Sequence, residues 1–248
     1  MMIKITEKCS MGCTHCLNNA TTNGKHMTDE TYKKVIEFQQ EYGGPFCMIT
    51  GGEPSEHPAF KAYIAYAKRK LPYVFITVAT NGLWMLDNYQ YVFDMYHKYE
   101  ETLLFQVCND PRYYPKSIDF SHPVFSLPNV IVIDNVPKIY PQGRAVDNNL
   151  EWNALGSKCY NVRAVAHQIE HKSLEFIIAM LAVKERICTP HISINGSIRL
   201  GESDLCPVCS HIDKNEDEIV QDILSFRCQK CNHINKNLSE DLRKIIGE

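Results

Sequence analysis

The sequence predicts an α/β protein built on parallel strands, and three observations carry that expectation. Apolar segments of strand length alternate with amphipathic segments of helix length at the spacing of βαβ units, which predicts right-handed crossovers. The loops bearing glycine and asparagine all follow strands, where parallel folds gather their ligands. At 248 residues the chain suits one large domain, or one domain with a small appendage.

Each element follows from local chemistry. Met2–Thr6 reads as a short strand entering a cysteine-bearing loop. Thr28 caps a helix whose first turn holds Asp29 and Glu30, and Tyr32–Tyr42 carries helical apolar spacing that Gly43-Gly44 ends. Phe46–Thr50 is an apolar run suited to a buried parallel strand, broken by Gly51-Gly52-Glu53-Pro54. Pro58–Lys70 is the next helix, and Tyr73–Thr80 the next strand, stopped by Asn81-Gly82. Tyr89–Glu100 is helical, Thr102–Cys108 and Val130–Ile133 are strands, and the proline- and aromatic-rich Asp110–Pro128 between them reads as an irregular loop. Ser173–Arg186 is a helix with an apolar face. Composition shifts near Ile187 to a cysteine-dense tail that Lys236–Glu248 closes as an amphipathic helix.

Composition excludes several functions. The chain is 44% hydrophobic, 22% charged and 10% aromatic, which is ordinary globular usage. A net charge of −3 gives no bulk electrostatic case for nucleic acid or an anionic membrane. No apolar stretch is long enough to span a bilayer, and the N-terminus lacks a signal-peptide core. The expectation is a cytoplasmic protein whose eleven cysteines persist as thiols or metal ligands.

The cysteines fall into two groups. Cys9, Cys13 and Cys16 form a C-x3-C-x2-C run, and an odd count in so tight a loop is no disulfide framework. As soft ligands they suit a metal cluster, and three thiolates on a four-iron cubane leave one iron open to a further ligand. A partial zinc site is the competing reading, yet His15 lies too close in the chain to complete a tetrahedron easily. Cys188, Cys206, Cys209, Cys228 and Cys231 form the second group, while Cys47 sits in an apolar strand as a core residue. The Gly51-Gly52-Glu53-Pro54 turn offers close backbone approach and an acceptor for an ammonium group, but taken alone it is an ordinary strand-to-helix turn.

Taken in order, these motifs resemble the radical S-adenosylmethionine (SAM) enzymes. Cys9-x3-Cys13-x2-Cys16, with His15 as the aromatic-type residue before the last cysteine, is similar to their cluster motif. Ile49–Pro58 (ITGGEPSEHP) resembles their SAM-binding segment, Val78–Gly82 (VATNG) a third-strand ending, and Phe105–Asp110 (FQVCND) a fourth-strand segment with Cys108 where many members carry serine. Tyr140–Ala145 (YPQGRA) resembles a segment preceding the C-terminal domain in members with extra clusters.

The resemblance implies a partial (β/α)6 TIM-like barrel over residues 1–145, a helical bridge over 146–186, and a small cysteine-rich domain over 187–248. It implies a [4Fe-4S] cluster on Cys9, Cys13 and Cys16 whose open iron binds the amino and carboxylate groups of SAM. Gly51, Gly52 and Glu53 would receive the SAM amino group, with His15 beside the site and Asn81, Gln106 and Arg144 around ribose and carboxylate. For Arg144 an exposed salt bridge is the plain alternative.

The tail, Cys188-x12-Gly201-x4-Cys206 then Cys228-x2-Cys231, resembles the twitch form of the SPASM auxiliary-cluster domain, with a β-hairpin turning at Asn195-Gly196. Cys188, Cys206, Cys228 and Cys231 would then enclose a second, auxiliary [4Fe-4S] cluster and leave Cys209 spare. The competing reading pairs Cys206-x2-Cys209 with Cys228-x2-Cys231, 18 residues apart, as a zinc ribbon with Cys188 spare.

The implied activity is reductive cleavage of SAM and hydrogen abstraction from a substrate C–H bond, in an oxidoreductase or a peptide-modifying enzyme. The substrate is a small molecule or a ribosomally made peptide, and the electron donor a flavodoxin- or ferredoxin-type protein. Peptide-modifying relatives often carry an N-terminal recognition domain, whereas this chain begins at its first strand, so peptide recognition would fall to a separate protein or to Asp110–Pro128. The contrasting class is an iron–sulfur or zinc-ribbon binding protein without SAM chemistry, against which the intact GGEP beside an intact C-x3-C-x2-C speaks.

Overall fold

Alternate residues of each inner strand divide cleanly between a helix-covered face and an open one. In the computed structural model, which describes residues 1–136, 139, 142–151, 190–200 and 207–225, Ile49, Ile76, Val78, Leu103, Phe105 and Val107 are fully buried. Their neighbours Met48, Thr50, Thr77, Ala79, Gln106 and Cys108 are only half-buried, because side chains alternate across a strand. The covered face packs under helices and holds the main core, including Cys47 at 2% exposure, as its apolar surroundings predict. The open face carries the chemistry.

The strands are β1 (Met2–Thr6), β2 (Phe46–Gly51), β3 (Phe75–Thr80), β4 (Leu103–Cys108) and β5 (Val130–Ile133), each parallel to its neighbour. Helices α1 (Asp29–Tyr42), α2 (Phe60–Lys70) and α4 (Tyr89–Tyr99) alternate with them, and a single turn, α3 (Leu83–Leu86), precedes α4. Thr28 caps α1 by accepting the N–H of Thr31 at 3.2 Å, as its residue type predicts.

Beyond α5 (Arg144–Asp147), the strand β6 (Pro190–Ile192) adds parallel to β1, and β7 (Ser197–Leu200) and β8 (Val208–His211) follow antiparallel. Among the described residues the sheet order is β5-β4-β3-β2-β1-β6-β7-β8. Among the described residues five parallel strands therefore come from the first 145 positions, and a further one, β6, arrives from beyond residue 187 to join β1 rather than β5. The hairpin expected at Asn195-Gly196 is present, with Gly196 at φ +85° and the Asn195 side chain accepting the N–H of Ser197 at 3.1 Å.

Two local expectations need adjusting. The loop 110–128 is irregular but contains a 3-10 turn at Pro123–Ser126 that buries Val124 and Phe125. The acidic stretch 213–222, which composition alone reads as a solvated face, is more than that. Most of it forms α6 (Glu216–Ser225), whose Ile219 is 1% exposed and packed into the core. Ser173–Arg186, Cys159, His167, His171 and Lys236–Glu248 lie outside the described residues.

Candidate functional site: a cysteine-lined cavity at the carboxyl rim

The loop after β1 crosses the carboxyl ends of the strands and is pinned at both ends by its own backbone. Glu7 N–H donates to Lys25 O at 2.8 Å, Cys9 N–H to Thr21 O at 2.8 Å, and Met27 N–H to Ile5 O at 2.8 Å. Within it Gly12 takes φ +73°, a conformation glycine reaches without strain. Cys9 and Cys13 are buried and Cys16 half-buried, and all three line one cavity of about 180 Å3. Gly51, Gly52, Asn81, Gln106, His15 and Arg144, each expected from sequence, line the same cavity.

The two glycines after β2 have a structural task beside that one. A Cβ on Gly51 would lie 2.5 Å from Thr6 O, and one on Gly52 would lie 2.3 Å from Lys8 O. The backbones of the two loops therefore lie against each other, with Gly52 N–H donating to Thr6 O at 2.7 Å and Glu53 N–H to Lys8 O at 2.8 Å. The close approach that glycine permits here is that of the chain itself.

Glu53 is 2% exposed and is not among the cavity-lining residues. Its carboxylate accepts Ser55 N–H at 3.1 Å, Ser55 Oγ at 2.7 Å, Thr80 Oγ1 at 2.8 Å and Asn81 N–H at 2.7 Å. Burial pushes its pKa up, and these donors pull the other way by favouring the ionised form. Glu53 thus reaches the cavity through Asn81, whose backbone it holds, while the Asn81 side chain accepts Leu83 N–H at 3.0 Å.

His15 stands between Tyr113 and Tyr114, with ring centroids 5.1 and 5.3 Å away. Burial lowers its pKa to about 4, so the imidazole is neutral at pH 7, and its Nδ1 is buried without a partner. Burial, reinforced by the neighbouring Cys9 and Cys16, pushes the Cys13 thiol up to about 12, with Arg144 opposing. These thiols become ligands by releasing their protons to solvent as a metal binds, which makes loading proton-linked.

Arg144 is no exposed salt bridge. Its Nε donates to Cys13 O and its Nη1 to Ala20 O, both at 2.7 Å, while Nη2 is buried without a partner.

Sequence reasoning gave no role at this site to Tyr114, Met11, Leu17 or Asn18, and it noted Cys108 only as a departure from serine; all five line the cavity. The alternation along β4 that puts Gln106 on the open face puts Cys108 there too, so that residue was findable. Tyr114 lies in an irregular loop, where no periodicity announces it. Burial raises the pKa of its hydroxyl far above the usual tyrosine range, beside the Cys108 thiol with which it shares a hydrogen bond.

Among the described residues no three His, Cys, Asp or Glu side chains are placed to hold a single metal ion. A cubane cluster is bound differently, with each thiolate on its own iron, so its ligands stand farther apart than those sharing one ion. The three thiols on one cavity, with an orphaned guanidinium nitrogen beside them, fit such a cluster.

Comparison with known proteins bears on the fold and on the N-terminal part of the chain. Residues 3–99 match the family model described as the Radical SAM superfamily, which supports a radical SAM domain in the N-terminal part of the chain. Among solved structures, BtrN in complex with AdoMet and 2-DOIA is similar at a TM-score of 0.57 and 13% identity, covering 98% of this chain and 87% of that one. The anSMEcpe structure with bound AdoMet and the Kp18Cys peptide is similar at 0.52 and 14% identity, covering 92% of this chain and 80% of that one. At such identities the likeness is one of fold. No curated protein matches the chain by sequence.

Proposed function

We propose that the protein is a radical SAM enzyme that oxidises or otherwise modifies a small molecule or a ribosomally made peptide. The observation that carries this reading is the convergence of Cys9, Cys13 and Cys16 with Gly51, Gly52, Asn81 and Gln106 on one cavity at the carboxyl rim of a parallel sheet. Cys9, Cys13 and Cys16 would hold a [4Fe-4S] cluster, which when bound would supply the electron for reductive cleavage of SAM and so for hydrogen abstraction from a substrate C–H bond.

The chain's own residues position the reactants and exclude water. Gly51, Gly52 and Asn81 present backbone and amide groups to the SAM amino acid portion, and Glu53 fixes Asn81 from beneath. Gln106 offers an amide to the ribose, and neutral His15 with Tyr114 closes one wall. The half-buried Thr50, Thr77 and Ala79 continue the open face toward the substrate.

In the same reading Cys188, Cys206, Cys228 and Cys231, all outside the described residues, hold an auxiliary [4Fe-4S] cluster in a twitch domain over 187–248. The position of Cys209 supports leaving it out of that set, since its thiol donates to Ile198 O at 3.3 Å within the β7–β8 pair. The electron donor is a flavodoxin- or ferredoxin-type protein in the cytoplasm. No helix among the described residues is long and apolar enough to cross a membrane.

The test is 5′-deoxyadenosine formation by anaerobically reconstituted protein with dithionite and SAM. Native protein should form it, and Cys9→Ala, Cys13→Ala and Cys16→Ala should each abolish it. A cluster-loaded native protein that yields none would sink the enzyme reading in favour of an iron–sulfur binding protein.

A further inference from the structure

The cysteine loop is fastened by a segment more than a hundred residues away in the chain. Five of its carbonyl groups end on residues 142–148. Arg144 N–H donates to Cys16 O at 3.0 Å, Arg144 Nε to Cys13 O at 2.7 Å and Nη1 to Ala20 O at 2.7 Å. Gln142 Nε2 donates to Leu17 O at 3.1 Å, and Asn148 Nδ2 to Thr14 O at 2.8 Å. Gly143 between them has φ +61°, and a Cβ there would lie 2.3 Å from Cys16 O. No ordinary side chain fits at that point.

This arrangement has an electrostatic consequence. Carbonyl oxygens bonded to the clamp are not free to turn their negative ends into the cavity. The guanidinium, a permanent cation, lines that cavity and keeps one buried nitrogen, Nη2, with no partner. Such a nitrogen carries a desolvation cost unless an acceptor reaches it. A four-iron cluster on three thiolates is anionic and gains a further negative charge on reduction. A buried cation beside it therefore favours the reduced form, since local charge and hydrogen bonding set cluster potentials.

We propose that Arg144 is a positioning residue that locks the Cys9–Cys16 loop closed and raises the reduction potential of the cluster it carries. The proposal rests on the radical SAM reading only for the identity of the cluster. It moves Arg144 from the SAM carboxylate to the cluster loop and its irons.

The experiment is an EPR-monitored redox titration of the reconstituted full chain, with iron release to a chelator measured alongside. Arg144→Gln, which removes the cation, should move the midpoint to lower potential. Arg144→Lys, which keeps a charge but not the fork, should stay near the native midpoint and release iron several-fold faster. Asn148→Ala, which removes one clamp bond and no charge, should leave the midpoint unchanged.

An Arg144→Gln midpoint equal to the native one overturns the proposal, as does an equal shift in Asn148→Ala. Should Arg144→Gln hold no cluster, Arg144→Lys decides, and native-like iron retention there overturns the clamp. A native protein that holds its cluster but makes no 5′-deoxyadenosine overturns the proposed function and leaves this inference standing.

Discussion

Glu53 accepts the backbone N–H of Asn81 at 2.7 Å, so a carboxylate from the loop after β2 fixes the loop after β3. The same carboxylate caps its own turn through Ser55 N–H and receives the Thr80 hydroxyl. Glu53→Ala leaves these buried donors unmet, at a cost of about 1–3 kcal/mol for each group that water does not reach. The expected outcome in urea denaturation is a loss of roughly 2–4 kcal/mol, together with weaker SAM binding. A change within ±0.5 kcal/mol would show that the carboxylate does not organise the rim.

Gly143→Ala should act on the cysteine loop rather than on its own segment. With φ +61° and ψ −146° the backbone lies in a region essentially reserved for glycine, which costs an alanine about 1–3 kcal/mol, and the contact 2.3 Å from Cys16 O forces the two segments apart. The expected signature is a lowered melting temperature with faster iron loss after reconstitution. Gly44→Ala is the control, since its Cβ meets nothing within 4 Å and should leave both unchanged. Equal behaviour of the two variants would remove the clamp's tight approach as a cause.

Cys209→Ala separates the two readings of the tail. With the auxiliary cluster on Cys188, Cys206, Cys228 and Cys231, the variant should keep the native iron content and visible absorbance. Loss of a tail metal that gives no visible band would instead make Cys209 a zinc ligand. The measurement is elemental analysis beside an absorption spectrum.

Asp110 gives a pH-dependent contribution to stability. Its side chain, 1% exposed, accepts Arg112 Nε at 2.9 Å, Arg112 N–H at 3.0 Å and Val136 N–H at 2.9 Å. The Arg112 guanidinium and these donors hold its pKa well below the usual carboxylate range. With the folded value depressed, the stabilisation is fully present above the unfolded pKa of about 4 and is lost as pH falls below it. Asp110→Asn should cost about 2–3 kcal/mol at pH 7 in chemical denaturation, and the gap to native should narrow steadily below pH about 4. A gap independent of pH would refute the linkage.

Much of the site was legible because its residues announce themselves locally. Cys9, Cys13 and Cys16 are a spaced ligand set, and Gly51-Gly52-Glu53-Pro54 interrupts an apolar strand at its carboxyl end. Parallel strands bring such loops to one rim whatever the details of packing, so the convergence followed from the βα rhythm. The role of Glu53 was less legible, since an acceptor for a ligand ammonium and an acceptor for backbone N–H groups look alike in sequence. In the structure the Glu53 carboxylate meets Ser55, Thr80 and Asn81. Tyr114 could not be read at all, because it reaches the cavity from a loop without periodicity.

By itself the sequence determined that the strands are parallel and that the cysteine loop, GGEP and Asn81-Gly82 share one rim, since these depend on the βα rhythm and chain-local turns. Only the tertiary structure decided that β6 would join β1, and that Arg144 would reach Cys13 across 131 positions of chain. The physical reason is that such contacts are made by backbone carbonyls and edge groups, which every residue carries. Which donor meets which carbonyl is settled when the whole chain is packed.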